Sequence, residues 1–376
     1  MSTSRKKSKK ARAAQKRLLL AIEVVLLIII IIVLFVWLMM SKMNTGMELG
    51  EDDSYASDNG VTDQYQEVNY TLNEDIPDET KDVLSKYTNI AFFGVDNRSI
   101  GHYSSGNSDT IMICSINNET NEIRLCSVFR DTYMDIGGGK YFKCNAAYAY
   151  GGAEQAVSML NKNLDLNISE YVTVDFNAVV EAVDSVGGIE LDISQEEAKY
   201  MNASYIDEVA KYSSGTANKV SAGSNVHVDG VQATAYCRVR YTAGADFERT
   251  YRQRLVLQKL LDKAKLSDVG TLTNIVNKMF PQISTSLTSA EILEMATKAT
   301  SYNIGQQAGW PFDKCTGTVG EASCVIACDH ASNVTQLYKY LFDIEDYTPS
   351  STVLEISSNI QTKTGRTIAD AVDYKF

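Results

Sequence analysis

From Leu18 to Met40 the chain is almost wholly apolar, a run of 23 residues broken only by Glu23. As a helix at ~1.5 Å per residue this run spans about 35 Å, enough for a hydrocarbon core of ~30 Å. It is too long for a signal-peptide core, and Ser41-Lys42-Met43 is no small-x-small cleavage site, so the pattern predicts an uncleaved anchor. Residues 41–87 have no sustained apolar period and read as an acidic linker with a short helix at 78–86. Ile90–Val95 then predicts a buried strand. Thr110–Ile116 and Glu122–Val128 predict a hairpin around a turn at 117–121. After Gly151-Gly152 a helix is expected over 153–164, with Ala156, Val157, Leu160 and Leu164 on one face. A strand at 171–174, a helix at 176–186 stopped by Gly187-Gly188, and a strand at 189–193 follow. The remaining expectations are a helix near 196–212, a short helix after Gly230, a long helix over about 247–265, a helix at 289–300 and a hairpin around the last three cysteines. Strands alternating with helices predict an α/β fold: a mixed β-sheet flanked by helices, an α-β-α sandwich. The expected domains are a basic tail (1–17), the anchor (18–40), the linker (41–87), a catalytic domain (88–345) and a polar, mobile C-terminal tail (346–376).

Charge sharpens this picture. The net charge is −12, yet residues 1–17 hold eight Lys or Arg and no acid, which leaves residues 41–376 at −19. The basic flank predicts a cytoplasmic N-terminus and an extracellular remainder, a single-pass protein of the cell membrane. So acidic an outer part excludes nucleic acid as a partner. The seven cysteines include no C-x-x-C, and the three histidines are too scattered for a His-based metal site or triad. Cys315, Cys324 and Cys328 lie close enough in sequence for one disulfide in an oxidising compartment.

Against this acidic background, five of the twelve arginines fall within residues 236–254: Arg238, Arg240, Arg249, Arg252 and Arg254. Arg238 and Arg240 sit two apart in a run with β-like alternation, which places both on one face. Arg249 and Arg252 sit three apart at a helix start and also share a face. Two pairs of planar charged forks suit a ligand rich in anionic oxygens, such as a pyrophosphate. The bland alternative is a solvated salt-bridge face with Asp246 and Glu248. Three more clusters stand at element ends: Asp96-Asn97-Arg98, Ser108-Asp109-Thr110 and Arg130-Asp131-Thr132. Asp96 and Asp109 close the two ends of one loop. A pair of carboxylates with few other ligands suits Mg²⁺, which takes its remaining oxygens from water and phosphate.

GVDNR at 94–98, SDT at 108–110, VFRDT at 128–132, KCNAAYAYGG at 143–152, VDGVQATAYCRVR at 228–240 and DFERTYRQR at 246–254 follow one another in an order and spacing that resembles the LytR-CpsA-Psr family over roughly residues 88–265. The resemblance implies an envelope phosphotransferase that moves a glycopolymer, such as teichoic acid or capsule polysaccharide, from a polyprenyl-pyrophosphate carrier to a peptidoglycan hydroxyl. Carried over by motif, Asp96 and Asp109 would hold Mg²⁺. Arg98, Arg130, Arg238 and Arg240 would contact the pyrophosphate. Arg249, Arg252 and Gln253 match the family's second basic motif, and Lys143 its lysine before the Asn-Ala-Ala-Tyr run. The attacking hydroxyl must lose a proton, with Asp131 or Asp109 as candidate base. The family fold also implies a deep apolar tunnel, for which the helices at 153–164 and 176–186 are candidate walls. Three positions depart from the family pattern: Phe129 stands where proline is common, Cys144 where isoleucine is, and Glu248 where glycine is. Two other functions fit the same residues: a polyprenyl-pyrophosphate hydrolase, and a non-catalytic protein that binds polyisoprenoid or wall polymer.

Overall fold

The computed structural model describes residues 72–95, 103, 106–242, 245–266, 283–287, 295 and 299–374. The basic tail, the apolar run at 18–40, most of the linker, Asp96, Arg98 and most of the helix expected at 289–300 lie outside the described residues. Among the described residues no helix is long and apolar enough to cross a membrane.

Six strands form the central mixed sheet, in the order β10-β3-β2-β1-β6-β9. They are β1 (Tyr87–Val95), β2 (Ser108–Asn117), β3 (Glu122–Val128), β6 (Glu170–Val174), β9 (Ile283–Thr285) and β10 (Asn303–Trp310). β1 pairs antiparallel with β2 and parallel with β6, and β3 pairs parallel with β10. The two-residue period of β1 sorts its side chains between two layers. Ala91, Phe93 and Val95 face α2 (Ala146–Leu164) and α8 (His330–Phe342), while Ile90 and Phe92 face Leu257 and Leu261 of α7 (Ala245–Leu266). The sandwich expected from the alternation is therefore present. A second core gathers α3 (Phe176–Ser185), β7 (Ile189–Ile193), the helical run α4 (Gln195–Tyr200) to α5 (Ile206–Lys211), β8 (Gly223–Val228) and α6 (Gly230–Tyr236). Small pairs, β4 (Tyr133–Asp135) with β5 (Tyr141–Lys143) and β11 (Lys314–Val319) with β12 (Ala322–Ala327), flank the sheet.

The structure corrects several expectations. The segment carrying Arg238 and Arg240 is no strand: α6 ends at Tyr236 and a turn follows, closed by Arg238 N–H to the Ala235 carbonyl at 3.0 Å. The alternation was too short to outweigh the helix that Asp229 and Gln232 start with a capping box. The short helix expected at 78–86 is present as α1 (Asp78–Leu84), but it docks on the domain, with Ile76 and Leu84 buried, and is no part of a free linker. The segment after 345 is not a loose tail. It forms α9 (Ser351–Thr364), capped by the Ser350 hydroxyl and burying Val353, Ile356 and Ile360. These apolar residues are only three, but their spacing of three and four puts them on one stripe. The helix expected at 153–164 begins earlier, at Ala146, and bends at Gly151-Gly152, where Gly152 has φ of 66°. All seven cysteines are free thiols, so the disulfide expected among Cys315, Cys324 and Cys328 is not formed.

His330 starts α8 with its ring fully buried edge-on to Trp310, centroids 5.4 Å apart. Its Nε2 lies 2.8 Å from the Asn163 carbonyl oxygen and donates to it, while Nδ1 has no partner. Burial pushes its pKa down to about 4. The unfolded chain therefore takes up this proton first as the pH falls. Stability is complete above the ordinary histidine value and drains away between about pH 6.5 and 4, at up to ~1.4 kcal/mol per pH unit. Denaturant titrations at pH 7 and 5 are expected to show that loss, and His330→Leu is expected to flatten it.

Candidate active site

The site assembles where β1, β2 and β3 end together. Gly94 permits this convergence: a side chain there would meet Thr110 Cβ at 2.9 Å. Two backbone bonds stitch the strand ends to the start of α2, Ser108 N–H to the Asn145 carbonyl at 3.4 Å and Asn145 N–H to the Arg130 carbonyl at 3.1 Å. Asp109 and Arg130 are thereby fixed side by side.

Arg130 is the hub. Its guanidinium donates to Asp109, and its Nε lies 3.6 Å from Asp246 and 3.8 Å from Asp131. Arg240 reaches the other Asp109 oxygen at 3.3 Å. Arg249 donates to the Asp109 carbonyl oxygen at 2.8 Å and pairs with Asp246 at 3.0 Å. Lys143 closes the ring on Asp131 at 3.1 Å. The structure thus joins six residues singled out in the sequence (Asp109, Arg130, Asp131, Lys143, Arg240 and Arg249) to Asp246. Asp246 had been considered only as part of a solvated ion-pair face.

The positive groups here are crowded and stripped of water. Burial pushes the Arg249 guanidinium down to about 10; Asp246 opposes that shift, and the neighbouring charges of Arg130 and Arg240 add to it. Burial works against the Arg130 charge too, but Asp109, Asp246 and Asp131 outweigh it and hold its pKa above the ordinary value. The Nε atoms of Arg130, Arg249 and Arg254 are buried without a hydrogen-bond acceptor. Arg254 is 6% exposed and donates to the Ser127 hydroxyl at 2.7 Å. The Gln253 side-chain oxygen is likewise buried without a donor. Unpaired buried donors are rare in folded proteins, and a bound anion satisfies them.

Two of the arginines expected to bind substrate point elsewhere. Arg252 is 3% exposed and holds Glu197 at 2.8 Å, Glu248 at 2.6 Å, the Val239 carbonyl at 3.0 Å and the Thr242 hydroxyl at 2.8 Å. It positions the segment that carries Arg240 and does not reach the Asp109 cluster. Nothing in the sequence links it to Glu197, whose visible role is the capping box with Ser194 that starts α4. Arg238 turns to Glu208 at 3.0 Å and stacks over the Phe176 ring at 4.5 Å. Asp96 and Arg98, expected as metal and phosphate ligands, lie outside the described residues.

The three departures from the family pattern have local reasons. Phe129 donates its backbone N–H to the Trp310 carbonyl at 3.1 Å, a bond proline cannot make. Its ring packs edge-on against Phe247 at 4.5 Å. The Cys144 thiol contacts the carbonyls of Phe129 and Arg130, both at 3.3 Å, and supports the turn beneath the hub. Glu248 supplies a carboxylate of the Arg252 clamp.

For a metal, Asp109 is the described residue that fits. Each of its oxygens takes one guanidinium, and an ionised carboxylate oxygen retains a second acceptor site. No three His, Cys, Asp or Glu side chains cluster as a cation cage among the described residues. Mg²⁺ needs no such cage, since one or two carboxylates with phosphate oxygens and water suffice.

The helices expected to wall a lipid tunnel do not. Ala156, Val157, Leu160 and Leu164 of α2 and Val180 and Val183 of α3 are fully buried and fill the cores. Incompletely covered apolar side chains lie instead between the sheet and α7: Phe92, Val172 and Ile304 on the sheet, Leu257 and Leu261 on α7.

The chain is 24% identical over 308 residues to the polyisoprenyl-teichoic acid–peptidoglycan teichoic acid transferase TagV of Bacillus subtilis, covering 81% of this chain and 76% of that protein. It is 28% identical over 249 residues to the corresponding transferase TagU of Bacillus cereus, covering 64% and 75%. A solved structure from Enterococcus faecalis, described as a transcriptional regulator (EF0465), shares the fold with a TM-score of 0.57 at 22% identity, over 77% of this chain and 98% of that one. A sequence profile of the LytR_cpsA_psr family matches residues 54–309, a span that contains the whole arginine–carboxylate site, and the chain belongs to that family.

Proposed function

We propose that this protein is a membrane-anchored phosphotransferase that moves a teichoic-acid-type glycopolymer from a polyprenyl-pyrophosphate carrier to a peptidoglycan hydroxyl. The observation that carries this reading is the buried guanidinium cluster around Asp109, with the Nε atoms of Arg130 and Arg249 lacking acceptors. A pyrophosphate offers acceptor oxygens to several forks at once and relieves the crowding of positive charge. The names of the TagU and TagV relatives support the same substrate class.

In the reaction, the acceptor hydroxyl oxygen attacks the phosphorus that bears the sugar. The bridging P–O bond breaks, the polyprenyl monophosphate leaves, and a phosphodiester joins glycopolymer to acceptor. Arg130, Arg240 and Arg249 hold the non-bridging oxygens as negative charge shifts toward the leaving group. Asp131, whose guanidinium contact is the long one at 3.8 Å, takes the hydroxyl proton. Arg98, two residues after Asp96 in sequence, is assigned to the pyrophosphate on its motif alone. Asp109, with Asp96 on its motif alone, would hold Mg²⁺, which would supply Lewis-acid stabilisation of the phosphate charge. The polyprenyl chain lies between the sheet residues Phe92 and Val172 and the α7 residues Leu257 and Leu261. Residues 18–40 anchor the protein with its N-terminus in the cytoplasm and its catalytic domain outside.

The test is incubation of the full chain in detergent with a glycosylated polyprenyl pyrophosphate and a peptidoglycan fragment, with products read by mass spectrometry. The expected product is a phosphodiester-linked conjugate that disappears on chelation and returns with Mg²⁺. Release of free glycan phosphate in place of the conjugate would mean hydrolysis, and bound but unchanged lipid would mean a binding protein.

A further inference from the structure

Between α4 and α5 the helix widens into a π-turn over Met201–Tyr205. Such turns are uncommon and gather at functional sites. This one is held firmly. Asn202 donates to the Val220 carbonyl at 2.7 Å and accepts from Val220 N–H at 2.9 Å, and Met201 and Ile206 are buried on either side. With those residues turned inward, Tyr200 and Tyr205 at the two ends of the π-turn are left half-buried on the outer side. Tyr241, 68% exposed, meets them from the segment that carries Arg240. Its ring centroid lies 5.6 Å from that of Tyr200, with the planes at 42°. The Arg238 guanidinium sits 5.6 Å from the centre of the Tyr205 ring. Burial raises the Tyr205 hydroxyl pKa, and the nearby Tyr241 raises it further while Arg240 and Arg238 oppose.

Three tyrosine rings are thus grouped beside the arginine segment, part wet and part buried, a costly exposure unless a partner covers it. Their chemistry is that of a saccharide platform: apolar faces for the C–H face of a pyranose, and hydroxyls at the rim for its OH groups. The position selects which saccharide. Tyr241 directly follows Arg240, which bonds to Asp109, and the Arg240 charge also acts on the Tyr205 hydroxyl, so the rings stand beside the arginine that reaches Asp109. We propose that Tyr200, Tyr205 and Tyr241 form a subsite for the pyranose directly attached to the donor pyrophosphate. This rests on the pyrophosphate reading of the arginine cluster.

Calorimetric titration of the full chain in detergent tests it with two probes: a short polyprenyl pyrophosphate, and the same lipid carrying one N-acetylglucosamine on the pyrophosphate. Wild type is expected to bind the glycosylated probe about tenfold more tightly, the order of a good aromatic contact. Tyr241→Ala is expected to abolish that difference and leave the bare probe unchanged, and Tyr241→Phe to restore it, because the ring face is the contact. Equal discrimination in Tyr241→Ala and wild type would overturn the subsite, as would equal weakening of both probes. Loss confined to a titrated peptidoglycan fragment would also overturn it, since the platform would then serve the acceptor. Failure of wild type to bind even the bare probe would refute the pyrophosphate reading itself, and the subsite with it.

Discussion

Arg130→Ala is expected to lower transfer by roughly 10²–10³-fold with the fold intact, the usual cost of removing one group that stabilises developing charge. The expectation rests on the number of groups this side chain serves. It bonds to Asp109, lies within 4 Å of Asp131 and Asp246, and keeps its Nε free of any hydrogen-bond acceptor. Without it three carboxylates face one another across the place where the pyrophosphate belongs, so substrate binding and catalysis fail together. Arg130→Lys is expected to recover only part of the loss, because a single ammonium cannot reproduce the planar fork. Transfer assays with circular dichroism on the same preparations check this. Activity within a few-fold of wild type in Arg130→Ala would remove the hub role.

Asp165→Ala is expected to cost roughly 3–5 kcal/mol of stability, from ~1–3 kcal/mol for each buried donor left without its acceptor. Asp165 is fully buried at the end of α2, in the left-handed region with φ of 55°. Its carboxylate accepts from the Asn73 amide at 2.5 Å, the Tyr347 hydroxyl at 2.9 Å, and the backbone and hydroxyl of Ser350 at 2.8 and 2.6 Å. One side chain thereby ties the entry of the domain to the helix that closes its C-terminal end. The same bonds couple Asn73 to Asp165, so Asn73→Ala combined with Asp165→Ala is expected to cost less than the sum of the two. Denaturant unfolding of the three variants measures both statements. An Asp165→Ala midpoint close to that of wild type would show that the contact carries little.

Much of the fold is written in local pattern. The alternation in β1 and the hairpin of β2 and β3 are visible from residue type, because one face of each strand must leave water. The long helix at 245–266 and the sandwich that follows from alternating elements are equally visible. Arg130, Asp131 and Asp109 stand out because charge at a strand end has few structural uses, Arg240 because arginines crowd its stretch of an acidic chain, and Lys143 by its motif. α9 and the docking of the short helix at 78–84 were not legible. Their apolar residues are sparse, and they count only where a neighbouring surface receives them, as α9 is received by β4 and α2.

By itself the sequence determined most of the elements, the family and the candidate chemistry of the site, since these depend on side-chain type and short-range spacing. Only the tertiary structure decided how the arginines divide. Arg249 joins Arg130 around Asp109, Arg252 is consumed by Glu197 and Glu248, and Arg238 leaves for Glu208 and Phe176. All are identical as residues. What separates them is which carboxylate the fold brings within reach, and Asp109 lies 131 residues from Arg240 along the chain. Pairing of charges is set by distance in space, and spacing along the chain does not encode it.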